Sequence, residues 1–197
     1  MTHKGTKTIK TNRLILRKFK ISDSVDMFCN WANSKTVTKF LTWQPHESEQ
    51  TTKNVIKSWV KEYKNKNFYQ WAIVLKGINQ VVGSISVVKI DEEKNSVNIG
   101  YCLGEKWWRQ GIMTESLNAV IDYLFNCVCA DEITSTHDVD NPNSGKVMEK
   151  CKMKYLYTKK GGATNNNGVV DIKIYNILRQ DYINDWLNIK NILKWTS

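Results

Sequence analysis

At 197 residues, 41% hydrophobic and 24% charged, the chain is long enough for one well-filled domain and has an ordinary folded composition. Lysine and arginine (29) outnumber aspartate and glutamate (19), a net charge of +10 that is spread along the chain and serves solubility or a polyanionic partner. No run approaches about 18 consecutive apolar residues, which argues against a spanning helix; the basic start MTHKGTKTIKTNR lacks the apolar stretch of a secretory signal, so a cytoplasmic location is expected.

TNRLILRKF (11–19) reads as a first strand, with Leu14, Leu16 and Phe19 apolar between charges. ISDSVDMFCNWAN reads as a helix, capped by Ser22 or Asp23, with Val25, Phe28, Cys29, Trp31 and Ala32 at helical spacing. SEQTTKNVIKSWVKEYK (48–64) reads as a second helix with a stripe of Val55, Ile56, Trp59, Val60 and Tyr63. The period then changes. YQWAIVL (69–75), VVGSISVVKI (81–90) and SVNIGYCLG (96–104) are strand-like runs joined by short turns, an antiparallel meander.

From Gly111 the helical period returns, with Ile112, Met113, Leu117, Val120, Ile121, Leu124 and Phe125 on one face. DEITSTHDV (131–139) is a strand. NPNSGKVMEKC (141–151) is a helix with Asn141 as N-cap and Pro142 at the first helical position. KYLYTKK (154–160) and VVDIKIYNIL (169–178) are strands around a loop, GGATNNNG, and the tail DYINDWLNIKNILKWTS reads as a short helix. There is no repeat and no linker, so one α/β domain over residues 1–197 is expected. Cysteines 29, 102, 127, 129 and 151 are odd in number and form no CxxC, and only three histidines accompany them. Reduced, packed cysteines and no metal site are expected.

Strand 96–104, helix 111–126 and strand 132–138 suggest a βαβ crossover with parallel strands. The segment EKWWRQG then falls at a strand C-terminus and a helix N-terminus, where free backbone amides and the helix dipole favour an anion. Gly111 allows close backbone approach and Arg109 adds a charge. Neither GxGxxG nor GxxxxGK[ST] is present, which disfavours a Rossmann or Walker nucleotide site.

The ordered set LILR, IGYCLGEKWWRQGIMTESL and HDVDNPNSGKVMEKCKMKY resembles the GCN5-related N-acetyltransferases, in particular the branch that includes the ribosomal-protein N-acetyltransferases. The resemblance covers about residues 11–180. It implies an α+β fold: one mixed, mostly antiparallel sheet of about seven strands flanked by helices, with a central parallel pair splayed for acetyl-CoA. It implies that the loop amides of Trp108, Arg109, Gln110, Gly111, Ile112 and Met113 hold the pyrophosphate. Trp108 and Met113 depart from the family loop there; Arg109 and the Thr114 hydroxyl are expected to add contacts, and Trp107 and Trp108 to wall the junction as packing residues. It also implies that backbone groups of Cys102 and Leu103 hold the pantetheine, with an N–H near Leu103 polarising the thioester carbonyl.

Asn141 matches the family's cofactor-contacting asparagine. Ser144 matches a proposed donor to the departing sulfur, and it equally suits a helix start. The tyrosine acid of many relatives falls at Met148, and their glutamate at Asn98, which cannot take a proton. As base, His137 has the right pKa range; Glu115 reads equally as a helix-start carboxylate, and a water chain is the third route. The acceptor, a protein N-terminus (ribosomal or other) or a small amine, is expected between the two early helices and the loop 161–168, against Trp31, Phe40, Trp43 and an exposed His46. The rival reading is a non-catalytic CoA-binding or ribosome-associated module with this fold. No RNP or zinc motif supports nucleic-acid binding, no membrane partner is expected, and strand 169–178, read as an exposed edge, suggests a homodimer.

Overall fold

The alternating runs pair into one sheet. In the computed structural model, described over residues 1–184, the strands are β1 (Ile9–Lys10), β2 (Leu14–Arg17), β3 (Gln70–Leu75), β4 (Gln80–Asp91), β5 (Ser96–Leu103), β6 (Glu132–Asp138), β7 (Lys154–Asn165) and β8 (Gly168–Leu178). Their order is β1-β2-β3-β4-β5-β6-β8-β7. Every neighbouring pair is antiparallel except β5–β6, which is parallel. The seven expected strands are all present; β1, the eighth, has two residues and is too short to show a period.

The helices are α1 (Ser24–Met27), α2 (Lys35–Thr38), α3 (Glu49–Glu62), α4 (Ile112–Tyr123) and α5 (Pro142–Lys150). The seven apolar positions read on α4 and its extension are all buried, since a 3.6-residue stripe has one face to bury. The first helix differs. Its buried residues are Met27, Trp31 and Ala32, while Val25 and Cys29 are exposed, because residues Phe28–Ala32 form a π-helical turn that shifts the phase of the stripe. On α3 the Ser48 hydroxyl accepts the Thr51 amide at 3.2 Å as a true N-cap, and Ile56 is the buried centre of the stripe. Short α2, capped by the Ser34 hydroxyl, has too few residues for a period to be read.

Two apolar layers sandwich the sheet. Leu14, Leu16, Trp71, Ile73, Ile85, Val97 and Ile99 pack under α4 and its extension. On the other face Ala72, Val74 and Val81 meet Phe19, Met27, Trp31 and Ile56 from the early helices. The parallel ladder runs from Ser96↔Glu132 to Ile99↔Ser135 and stops. Beyond it β5 continues to Leu103 alongside β4, and β6 continues to Asp138 alongside β8, so the central pair forks. At the crotch the Ser135 hydroxyl donates to the Ile99 carbonyl at 2.8 Å.

Three expectations are corrected. Strand 169–178 is not an edge: β8 lies between β6 and β7, and the edge is β7. The stretch 161–168 is not an open loop. β7 runs through it to Asn165, Gly161 and Gly162 are absorbed in a bulge between Lys159 and Ala163, and only Asn166 and Asn167 turn. The cysteines are all free, but Cys29 and Cys127 are exposed rather than packed. Of the expected C-terminal helix, residues 179–184 are helical and the remainder lies outside the described residues.

Candidate active site

The start of α4 presents free backbone amides beside the cationic lining of a cleft. Gly111, at φ +74°, takes the left-handed conformation that turns the chain into the helix, and Arg109 before it is also left-handed at φ +61°. The Glu115 amide bonds the Gly111 carbonyl at 3.0 Å, which leaves the amides of Ile112, Met113 and Thr114 without intrahelical acceptors. Arg13, from the turn before β2, braces the loop: its Nη1 donates to the Gln110 carbonyl at 2.9 Å and its Nε to Glu115 at 2.6 Å. Glu115 also accepts from the Arg13 amide and the Thr11 hydroxyl. Burial pushes its carboxyl up, but those hydrogen bonds and the Arg13 charge outweigh burial and hold it below the usual range. Glu115 is a strap between β2 and α4, with its oxygens taken, and not a free base.

Trp107 is buried at this junction as expected, but Trp108 is 42% exposed. Its indole N–H donates to the Leu103 carbonyl at 2.7 Å, so it fixes the end of β5 instead of filling a core. The carbonyls of Val97 and Ile99 accept from Thr134 and Ser135 on β6, whereas the Gly104 amide bonds Val82 on β4. Strand alternation therefore turns the backbone groups of Tyr101 and Leu103 into the fork and those of Cys102 towards Ser84 of β4. Leu103 keeps the expected orientation; at Cys102 it is the side chain that reaches the fork's clefts. Its thiol sits 3.4 Å from the Ser84 hydroxyl, and burial raises its pKa.

Across the fork α5 presents Ser144. The Asn141 side-chain amide donates to the Ser144 hydroxyl oxygen at 3.0 Å, which leaves the Ser144 proton free to donate. Asn141 holds the N-cap position but makes no side-chain cap bond; its side chain is instead turned to Ser144. Tyr101 donates to the Ser144 carbonyl at 2.9 Å, and burial raises its pKa far beyond the usual tyrosine range, so it stays protonated. Met148, where relatives carry a tyrosine, is buried at 1% exposure.

His137 lies at the end of β6, and burial holds its pKa below the ordinary value against the opposing bond to the Asp138 carbonyl. That bond, 2.7 Å from Nδ1, fixes the tautomer, since a carbonyl only accepts. The basic nitrogen is then Nε2, which is buried without a partner. A Cβ built on Gly145 would lie 2.6 Å from it, so α5 seals this nitrogen from the cleft. The expected general base is therefore enclosed. Asn98, on the cleft wall, donates to the Thr134 hydroxyl at 2.9 Å.

Two clefts meet at the fork, sharing Phe40, Leu41, Tyr101, Cys102, Asn141 and Ser144. The first, of about 630 Å³, runs along Leu103, Trp108, Arg109 and Gly111 to Thr114, and its charged lining is Lys39, Arg109, Lys146 and Lys150. The second, of about 470 Å³, lies on the other side against Trp31, Trp43, Trp59 and His46, with no lysine or arginine in its lining. His46, expected to be exposed, is half-buried, bonded through Nδ1 to Thr52 at 2.8 Å, with its pKa lowered by burial. Over this cleft the β7–β8 turn docks on segment 38–44. Asn166 donates its amide to Leu41 and its side chain to the Thr38 and Trp43 carbonyls, and accepts from Gln44.

Arg13, Tyr101, Ser84 and Asn166 were not singled out from the sequence. Their partners lie far along the chain; only the Asn run of GGATNNNG hinted at backbone-capping side chains. Among the described residues no cluster of ligating side chains could hold a metal, and no helix is long and apolar enough to cross a membrane.

Residues 13–154 match the family model described as acetyltransferase (GNAT) domain. The uncharacterized N-acetyltransferase p20 of Bacillus licheniformis is 23% identical over 175 residues, 89% of this chain and 98% of the relative. A GNAT-family acetyltransferase from Bacillus anthracis, known as a crystal structure, is 26% identical with a TM-score of 0.77, covering 88% of this chain and 99% of that one. The ribosomal L7/L12 α-N-protein acetyltransferase RimL, solved with coenzyme A, is 21% identical with a TM-score of 0.78, covering 87% and 98%.

Proposed function

The chain belongs to the GNAT family of acetyltransferases, and we propose how its own residues carry out the family's reaction. It is an acetyl-CoA-dependent N-acetyltransferase. The observation that supports the assignment of roles is the meeting of two clefts of opposite character at the fork, one lined by four cations and free helix amides, the other free of lysine and arginine. A cation-lined cleft at a helix N-terminus fits a phosphate-rich co-substrate.

Acetyl-CoA supplies the acetyl thioester. The amides of Ile112, Met113 and Thr114, with Arg109, bind its phosphates. Tyr101 and Leu103 offer backbone groups in the fork, and the Leu103 N–H polarises the thioester carbonyl. Ser144, with its oxygen held by Asn141, donates its hydroxyl proton in a hydrogen bond to the departing sulfur. A primary amine, on a protein N-terminus or a small molecule, enters from the second cleft and attacks directly. His137 does not take its proton, because Nε2 is enclosed; water along the hydroxyl- and amide-lined wall does.

The test is calorimetric titration with acetyl-CoA of the wild type and Gly111→Trp. Micromolar binding in the wild type, abolished by the substitution, is expected. Equal binding by both proteins would remove the loop from the site, and binding without turnover on any amine would leave a CoA-binding module.

A further inference from the structure

We propose that the acceptor is a monoamine whose remaining body is uncharged and hydrogen-bonding, and that the second cleft rejects polycations. The inference rests on the assignment of that cleft to the acceptor.

The floor of the cleft is one face of the sheet. The registers Gln70↔Ser86↔Gly100 and Ala72↔Ser84↔Cys102 align β3, β4 and β5, so side chains of alternate residues share this face. Gln70, Ser84, Ser86 and Asn98 line the cleft from it, and all are neutral. In a chain where 24% of residues are charged, the lining holds a single formal charge, Asp138. That carboxylate is already committed: one oxygen accepts the Asp140 amide at 2.9 Å and the other the Asn165 side chain at 2.7 Å. Burial lowers the pKa of both histidines in the lining, His46 and His137, so they are neutral at pH 7.

A second ammonium entering this cleft loses its hydration and meets one carboxylate, Asp138, which is itself buried and already held by two amide donors, so little repays that cost. The reacting amine has the opposite need. It must be neutral to attack, and an uncharged, partly dry wall favours its neutral form. Opposite the floor stand Trp43 and Trp59, both partly exposed, as faces for an apolar side of the acceptor. The neutral, hydrogen-bonding floor and the aromatic wall together describe a body that bears hydroxyl or amide groups on one side and an apolar face on the other.

The experiment measures kcat/KM with acetyl-CoA for methyl glucosaminide, amino-acid amides and short neutral peptides, against spermidine and kanamycin. Binding of each to the CoA-loaded protein is measured by calorimetry alongside. At least one neutral monoamine is expected to exceed both polycations by about a hundredfold or more. Gln70→Glu, which puts a carboxylate on the floor without changing shape, is expected to narrow that gap about tenfold; Ser86→Asp repeats the test at a less buried position. The arms with peptides and with free amides separate a protein N-terminus from a small molecule as the source. Spermidine or kanamycin used as well as the neutral amines would overturn the proposal. So would the failure of every neutral amine to bind or react with a protein that binds acetyl-CoA. Loss of acetyl-CoA binding itself is read separately and concerns the cofactor cleft.

Discussion

Replacing Asn166 with alanine should loosen the wall between the two clefts without unfolding the protein. Three side-chain bonds are lost: to the Thr38 carbonyl at 2.9 Å, to the Trp43 carbonyl at 2.8 Å and from Gln44 at 2.7 Å. The backbone bond to Leu41, 3.2 Å, remains. The site is only partly buried, so water replaces the lost partners and each bond is worth about 0.5–1 kcal/mol net. The sum, about 1.5–3 kcal/mol, converts to about a 10- to 150-fold rise in local opening of segment 38–44. Amide hydrogen exchange followed by mass spectrometry reads this directly, as faster exchange in 38–44 and in 163–170, with the strands of the central sheet unchanged. Because Phe40 and Leu41 border both clefts, the acceptor KM should rise severalfold as well. Unaltered exchange in 38–44, with unfolding unchanged, would refute the claim that Asn166 holds this segment.

Glu115→Gln removes the charge that pins Arg13. It should cost about 1–2 kcal/mol in denaturant unfolding and weaken acetyl-CoA binding, yet leave the shape of the pH–rate profile intact; a lost basic limb would make Glu115 the base after all. Ser144→Ala should lower kcat by about 10- to 100-fold while the calorimetric Kd for acetyl-CoA moves little; a kcat within about twofold of wild type would leave Ser144 as a helix-start residue. Stability should fall as the medium is acidified from pH 7 towards 5. The unfolded chain protonates His46 and His137 near 6.5, while burial keeps both neutral in the native state, so protons favour unfolding from 6.5 downwards through the lowered native values. Thermal melts across that range, with His137→Asn expected to flatten the slope, check the sign; a rise in stability on acidification would contradict it.

Features under local control were legible along the chain. The α4 stripe from Ile112 to Phe125 is buried where its period placed it, and β3 to β5 form the expected meander. A strand, a glycine junction and a helix in succession were enough to locate the free amides at the start of α4, since these follow from backbone geometry alone. The family resemblance supplied Leu103, Asn141 and Ser144, positions that no period reveals. Other features depend on pairing between distant segments and emerge only on folding. Nothing local to KYLYTKK or VVDIKIYNIL says which of them lies at the edge; β8 pairs with β6 and leaves β7 outside. Ala163, Thr164 and Asn165, within a stretch whose glycines and asparagines signal a loop, became strand because β8 took their hydrogen bonds. Glu115 became a strap because Arg13, far away in sequence, comes to it. The Nε2 of His137 is enclosed by the close approach of Gly145, from the next helix. The neutral floor of the second cleft is assembled from Gln70, Ser86 and Asn98 on three strands, each an unremarked polar residue in its own run. Propensity and periodicity act over a few residues, whereas register and cleft chemistry are set by which strands come to lie side by side.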